Sequence, residues 1–275
     1  MCIEDDLLVG TRTNAKGHWE SRSLFALNDR LLAEMGCSWW SPPTGELLAT
    51  WEHQLGSERF DEARAVFDHA HPVEPWVWKD PRACLALGFW RRVLDRPLCG
   101  IVVFRNPLDV ARSLERRDWM EREFCLALWM RYTRLLLEQA GGMPVMVSSY
   151  DDILEDPEAF SEAARRFLEG VGMQVAPGID SPAVGQFIDP DLRHSTEETA
   201  DLGATTDLYD LLRALAGVHA SFDPPTLGEE DAWIDEQLTA FGPQWRDTWK
   251  VPGSQPRTPG HLLRALGRRV SSIVR

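Results

Sequence analysis

Apolar positions along the chain recur at helical spacing in some stretches and run almost without interruption in others. Ser21 or Ser23 caps a predicted helix through LFALNDRLLAEM, and Gly36 is its stop. A turn-rich stretch, SWWSPPTG, follows. An amphipathic helix is predicted over 58–69 and a further helix over 83–94. Between them WVWK (76–79) reads as a short apolar strand that ends at Asp80-Pro81. CGIVVF (99–104) is short, β-branched and nearly continuous, the pattern of a strand buried on both faces. Pro107 suits the first turn of the next helix, which runs to about Arg117.

A long helix is predicted over 120–140, stopped by Gly141-Gly142, and PVMVSS (144–149) is a third strand. A helix begins at Asp156-Pro157 and continues through Leu168, and two more are expected over 206–219 and 227–240. Met1 to Glu20 reads as loop. Strands separated by helices imply an α/β fold with a parallel sheet flanked by crossover helices. The expected organisation is one α/β domain over 1–250 and a basic amphipathic tail over 251–275.

Charge narrows the function classes. The formal net charge of −14 argues against nucleic acid as a partner, which requires a basic footprint. A local cluster of cations can still hold an anionic ligand. Lys250 to Arg275 contains six Lys or Arg and no acid. In PGHLLRALGRRVSSIVR the apolar residues gather on one face, so the tail either docks on the acidic domain, stays unfolded, or touches an anionic membrane. Five cysteines without CxxC spacing, and no helical pairing of histidines, give no expectation of a metal site. The N-terminus lacks the basic and apolar regions of a signal peptide, and no run approaches the roughly 20 apolar residues of a membrane helix, so a cytoplasmic location is expected.

The chemistry concentrates at strand ends. Arg105 sits just past the strand 99–104, where open α/β sheets bind ligands, and the following helix turns its free N–H groups to the same space. Ser113 lies two helical turns further on. A guanidinium and a hydroxyl suit a phosphate; alternatively Arg105 pairs with Asp109 and Ser113 packs. Lys79, at the end of WVWK, is either a site residue or the ion-pair partner of Asp80 or another acid.

Four stretches in order resemble the sulfotransferase family. IVVFRNPLDVARS is similar to its 3′-phosphate motif, an apolar strand ending in Arg with Ser eight residues on. WVWKDPRACL resembles the strand-and-Lys segment before that motif. VMVSSYDDILEDPEAF is similar to the strand, Tyr-Glu-Asp-Leu and Asp-Pro that follow it. NAKGHWE (14–20) with LNDRLL looks like a bacterial branch of the family, and the likeness covers about residues 5–173. It implies a P-loop-like fold and transfer of a sulfuryl group from 3′-phosphoadenosine-5′-phosphosulfate to a hydroxyl of a small molecule or glycan. By the same likeness Arg105 and Ser113 hold the 3′-phosphate, Tyr150 meets the adenine, and Lys79 stabilises the leaving oxygen. Glu20 or His18 is then the base; Glu20 could instead cap the next helix.

The chain departs from the family in one respect. It holds neither GxxxxGK[ST] nor Arg-Ser-Gly-Thr, the loop that cradles the 5′-phosphosulfate; LLVGTRTNAKG (7–17) matches a later segment better. The expectation is that the N-terminal strand and loop either precede Met1 or have been shed, in which case the protein is a non-catalytic, sulfotransferase-like nucleotide-binding or interaction protein. Trp39, Trp40 and Trp119 either line an acceptor pocket or pack.

Overall fold

The computed structural model describes residues 6–8, 10, 17–175, 203–229 and 232–246, the last six as backbone. The expected tail lies outside the described residues. The architecture is mixed α/β. Helices α1 (Arg22–Glu34), α2 (Gly45–Gln54) and α3 (Ser57–Ala70) lead to a short 3-10 helix (Pro81–Leu85) and α4 (Leu87–Leu94). Strand β1 (Gly100–Phe104) is followed by α5 (Pro107–Asp118), α6 (Arg122–Gln139) and β2 (Val145–Ser149). Then come α7 (Tyr150–Glu155), α8 (Pro157–Gly170), α9 (Thr206–Ala214), β3 (Gly217–His219) and α10 (Ala232–Arg246).

Local chemistry explains the element ends. Ser21 is the N-cap of α1, its hydroxyl accepting from the Leu24 N–H at 3.1 Å. At the other end Gly36, at φ +71, lets its N–H reach the Ala33 carbonyl while Cys37 reaches Leu32, which satisfies two of the helix's free carbonyls. Asn106 caps α5 by accepting from Leu108, and Pro107 occupies the first turn, where no N–H is missed. Asp156 caps α8 in the same way, with Pro157 behind it.

The sheet has three strands among the described residues, in the order β1-β2-β3. β1 and β2 are parallel, with Phe104 opposite Ser149, and α5 and α6 form the crossover. β3 joins β2 antiparallel, so the sheet is not wholly parallel as its pattern predicted. The predicted helix over 206–219 stops early for that reason. α9 ends at Ala214, and Gly217, at φ +132, opens the strand. The expected helix over 227–240 is displaced to α10.

Three further expectations are corrected. WVWK is extended but joins no ladder among the described residues. Its alternation is still that of a strand, with Trp76 and Trp78 packed inward while Val77 is 78% exposed. β1 is buried on one face only: Val102 and Phe104 enter the core, whereas Ile101 and Val103 are 40% and 48% exposed. Among the described residues it is an edge strand, and the more completely buried strand is β2. Finally, α2 and α7 were not foreseen. α2 follows the predicted turn once Thr44 caps it, and α7 starts directly from the Ser149 cap.

Apolar side chains form two main clusters. One joins β1 and β2 to α5, α6, α9 and α10 around Phe104, Phe124, Leu137 and Val147. The other packs α1, α3 and α4 around Phe67, Phe89 and Trp90. Leu32, Leu48, Leu85 and Leu135 connect the two regions. No helix among the described residues is long and apolar enough to cross a membrane.

Candidate functional site

Two groups of polar side chains stand out, one on each part of the fold. The first sits at the carboxyl end of the parallel pair. Arg105 leaves β1 and Tyr150 leaves β2, and the register that faces Phe104 with Ser149 places them side by side. The guanidinium carbon lies 4.9 Å from the centre of the Tyr150 ring, a cation–π arrangement. Asp109, one turn into α5, approaches Arg105 Nε at 3.9 Å, an ion-pair contact too long for a hydrogen bond. Nε itself is buried and has no hydrogen-bond partner among the described residues. A buried donor without an acceptor is costly, and an anion at this strand end would satisfy it. Ser113 is exposed on α5, and no hydrogen bond joins it to Arg105 among the described residues.

The second group lies where the start of α1 meets the extended stretch before the 3-10 helix. Lys79 Nζ is 2.5 Å from Oε1 of Glu20 and 3.1 Å from the His18 carbonyl oxygen. Trp19, between them, has φ +58 and is 57% exposed. A bulky residue in the left-handed region is strained, and here it turns the chain so that both neighbours face one ammonium. Glu20 is 5% exposed and does not cap α1, a task that falls to Ser21. Lys79 pairs with Glu20, an acid other than its neighbour Asp80, which is the ion-pair alternative that the sequence left open. The sequence reading thus named both members of this pair, and the fold brings them together. His18 contributes its backbone oxygen.

Behind the pair lies a polar network that the sequence reading missed. Asn28, 2% exposed on α1, donates from Nδ2 to Asp80 Oδ2 at 2.7 Å and accepts from Trp90 Nε1 at 2.9 Å. The other Asp80 oxygen accepts the Arg82 N–H at 2.8 Å. Arg82 binds Asp29 at 2.7 Å and lies over the Phe25 ring. Burial pushes the Asp80 carboxyl upward, the Arg82 guanidinium and the hydrogen bonds pull it down, and the nearby Glu20 charge adds an upward push. A polar residue inside the apolar stripe Leu24, Leu27, Leu31 was the available signal for Asn28.

The tryptophans divide. Trp40 is in the core and Trp39 packs against it, whereas Trp119 is 60% exposed at the end of α5. Among the described residues no group of three or more His, Cys, Asp or Glu could hold a metal. Cys37, Cys84, Cys99 and Cys125 are free thiols, and burial pushes Cys84 up to about 12. Comparison of the chain with protein-family models, with curated proteins and with solved structures yields no match.

Proposed function

We propose that this is a cytoplasmic sulfotransferase of P-loop-like fold, moving a sulfuryl group from 3′-phosphoadenosine-5′-phosphosulfate to a hydroxyl of a small molecule or glycan. The observation that carries the reading is the Glu20–Lys79 contact, made across fifty-nine residues of sequence. A carboxylate and an ammonium held together are the acid–base equipment an in-line transfer needs. The donor supplies the sulfuryl group and a nucleotide phosphate as leaving group. Arg105 would bind the 3′-phosphate, its buried Nε being a donor with no hydrogen-bond partner among the described residues. Tyr150, stacked on Arg105, would border the adenine, and Ser113 would reach the same phosphate from α5. Lys79 would give a hydrogen bond to the bridging oxygen as negative charge collects there. Glu20 would take the proton from the acceptor hydroxyl, with His18 as the other basic side chain at hand.

A nucleotide-binding protein without transfer activity is the second reading. What favours it is that Arg105, stacked on Tyr150 with its Nε lacking a hydrogen-bond partner among the described residues, suits anion binding without requiring any transfer step.

Calorimetry with 3′-phosphoadenosine-5′-phosphate tests the nucleotide site shared by both readings. Wild type should bind, and Arg105→Ala should bind roughly 10- to 100-fold more weakly, the loss of a charge-assisted contact. No binding by folded wild type, or equal binding by the variant, would remove the site assignment. Release of the same nucleotide from the sulfated donor, with and without an acceptor alcohol, then separates transfer from binding alone.

A further inference from the structure

We infer that Asn28 is a positioning residue which, through Asp80, holds Lys79 within reach of Glu20. The role given to Lys79 rests on the transfer reading; the positioning itself rests on geometry. Glu20 immediately precedes Ser21, the N-cap of α1, and Asn28 lies on that helix. Lys79 immediately precedes Asp80. The Asn28–Asp80 hydrogen bond therefore runs beside the Glu20–Lys79 ion pair and ties the same two pieces of chain together.

The stretch carrying Lys79 needs such a tie. Residues 76–79 pair with no strand among the described residues, so no ladder fixes their backbone. Trp76 and Trp78 anchor it by packing on Phe67 and Trp90, but the lysine side chain is 54% exposed on a flexible stem. An ion pair with one partner so exposed is too weak to order the chain by itself. The amide at Asn28 is different. It is buried, both ends are used, and its partner Asp80 is 8% exposed with its second oxygen committed to Arg82. A buried network satisfied at each of these atoms admits one arrangement, which transmits to the adjacent residue.

The chemistry allows a swap that keeps every one of these hydrogen bonds. With Asn28→Asp and Asp80→Asn together, the residue at 28 accepts from Trp90 and from the new amide at 80, whose oxygen still accepts from Arg82. Asn28→Asp alone sets two carboxylates face to face, and Asp80→Asn alone sets two amide donors face to face.

Lys16, Lys79 and Lys250 are the chain's lysines, so each amine can be followed separately by reductive methylation with 13C-formaldehyde, Lys79 being assigned with Lys79→Arg. An ammonium that loses its carboxylate partner reacts faster. Asn28→Asp should raise the Lys79 rate roughly two- to fivefold relative to Lys16 and Lys250, the size of an exposed ion pair. The double swap should return it to the wild-type value. Asp80→Asn, the milder change, should move Lys79 in the same direction and serves if Asn28→Asp does not fold. A merely structural network would lower the melting temperature without a selective change at Lys79. An unchanged Lys79 rate in a folded single variant, acceleration of all three lysines together, or a swap that fails to restore the rate overturns the inference. Nucleotide titration separates the two claims. If 3′-phosphoadenosine-5′-phosphate does not bind while Lys79 follows the swap, the nucleotide reading fails and the positioning stands; the opposite pattern removes the positioning alone.

Discussion

Lys79 and Glu20 meet at 2.5 Å with unequal exposure: the lysine side chain is 54% exposed and the glutamate side chain 6%. Removing either partner therefore has different consequences. Lys79→Met leaves a carboxylate buried without its cation and should cost about 1–3 kcal/mol. Glu20→Gln leaves an ammonium that can turn to water, and the new amide oxygen can still accept from it, so the cost should stay below about 1 kcal/mol. Urea denaturation at neutral pH measures both, and equal costs would show that Glu20 is not held as a buried charge. Under the proposed function Glu20→Gln should also lower turnover by roughly 100-fold or more with nucleotide affinity unchanged. Undiminished turnover would leave Glu20 without the role of base.

His71 makes stability depend on pH. It is 5% exposed, packs against Phe67 and Trp76, and neither ring nitrogen has a hydrogen-bond partner among the described residues. Burial lowers its pKa below the ordinary 6.5, and the charge of Asp6 offsets this only in part. The folded state therefore binds a proton less readily than the unfolded chain. Above about pH 7.5 both states are neutral here and the group has no effect on stability. As pH falls through 6.5 the unfolded chain takes up the proton first, so stability drops with falling pH until the folded pKa is passed. His71→Phe should flatten the stability profile between pH 7 and pH 5; an unchanged slope would assign the acid sensitivity to other groups.

Phe67 is the hub of the α1–α3–α4 cluster. It is 1% exposed, with ring centres of His71, Trp76, Trp78 and Trp90 between 4.8 and 6.1 Å away. Phe67→Ala should destabilise by about 3–5 kcal/mol, since the surrounding rings cannot all collapse into the space. Phe67→Leu should recover more than half of that. Chemical denaturation decides it, and a cost below about 1 kcal/mol for the alanine variant would mean that the cluster is not close-packed.

Trp119 ends α5 in the left-handed region at φ +60 while its side chain is 60% exposed. Glycine adopts that conformation freely, so Trp119→Gly should raise stability by about 1 kcal/mol, less whatever partial burial of the indole contributes. A fall in melting temperature would show that the exposed indole makes contacts worth more than the backbone strain.

Much of the fold was legible because its signals are local. The Ser21 cap, the Gly36 stop, Pro107 after Asn106 and the Asp156-Pro157 start are each decided within a few residues, where a hydroxyl, a missing Cβ or a fixed φ acts on its own backbone. The same locality exposed β1 and β2 as strands and set Arg105 and Tyr150 at their ends. Where an element depends on what lies opposite it, the reading failed. WVWK alternates like a strand yet joins no ladder among the described residues, because pairing needs a neighbour that no local pattern can supply. GIVVF is apolar throughout, but only the packing on each face of the sheet decides that Val102 and Phe104 are covered while Ile101 and Val103 are exposed.

The candidate site divides along the same line. Arg105 and Lys79 stood out by their places at predicted strand ends, whereas Glu20, His18 and Tyr150 were singled out by the resemblance to the sulfotransferase family. Tertiary structure alone decided that Lys79 pairs with Glu20 and not Asp80, that Asp80 turns inward to Asn28, and that Arg105 stacks on Tyr150 with Nε lacking a hydrogen-bond partner among the described residues. The physical reason is range. A cap or a turn is settled by atoms a few bonds apart, whereas a buried charge takes whichever partner the packing of distant helices brings within about 3 Å of it.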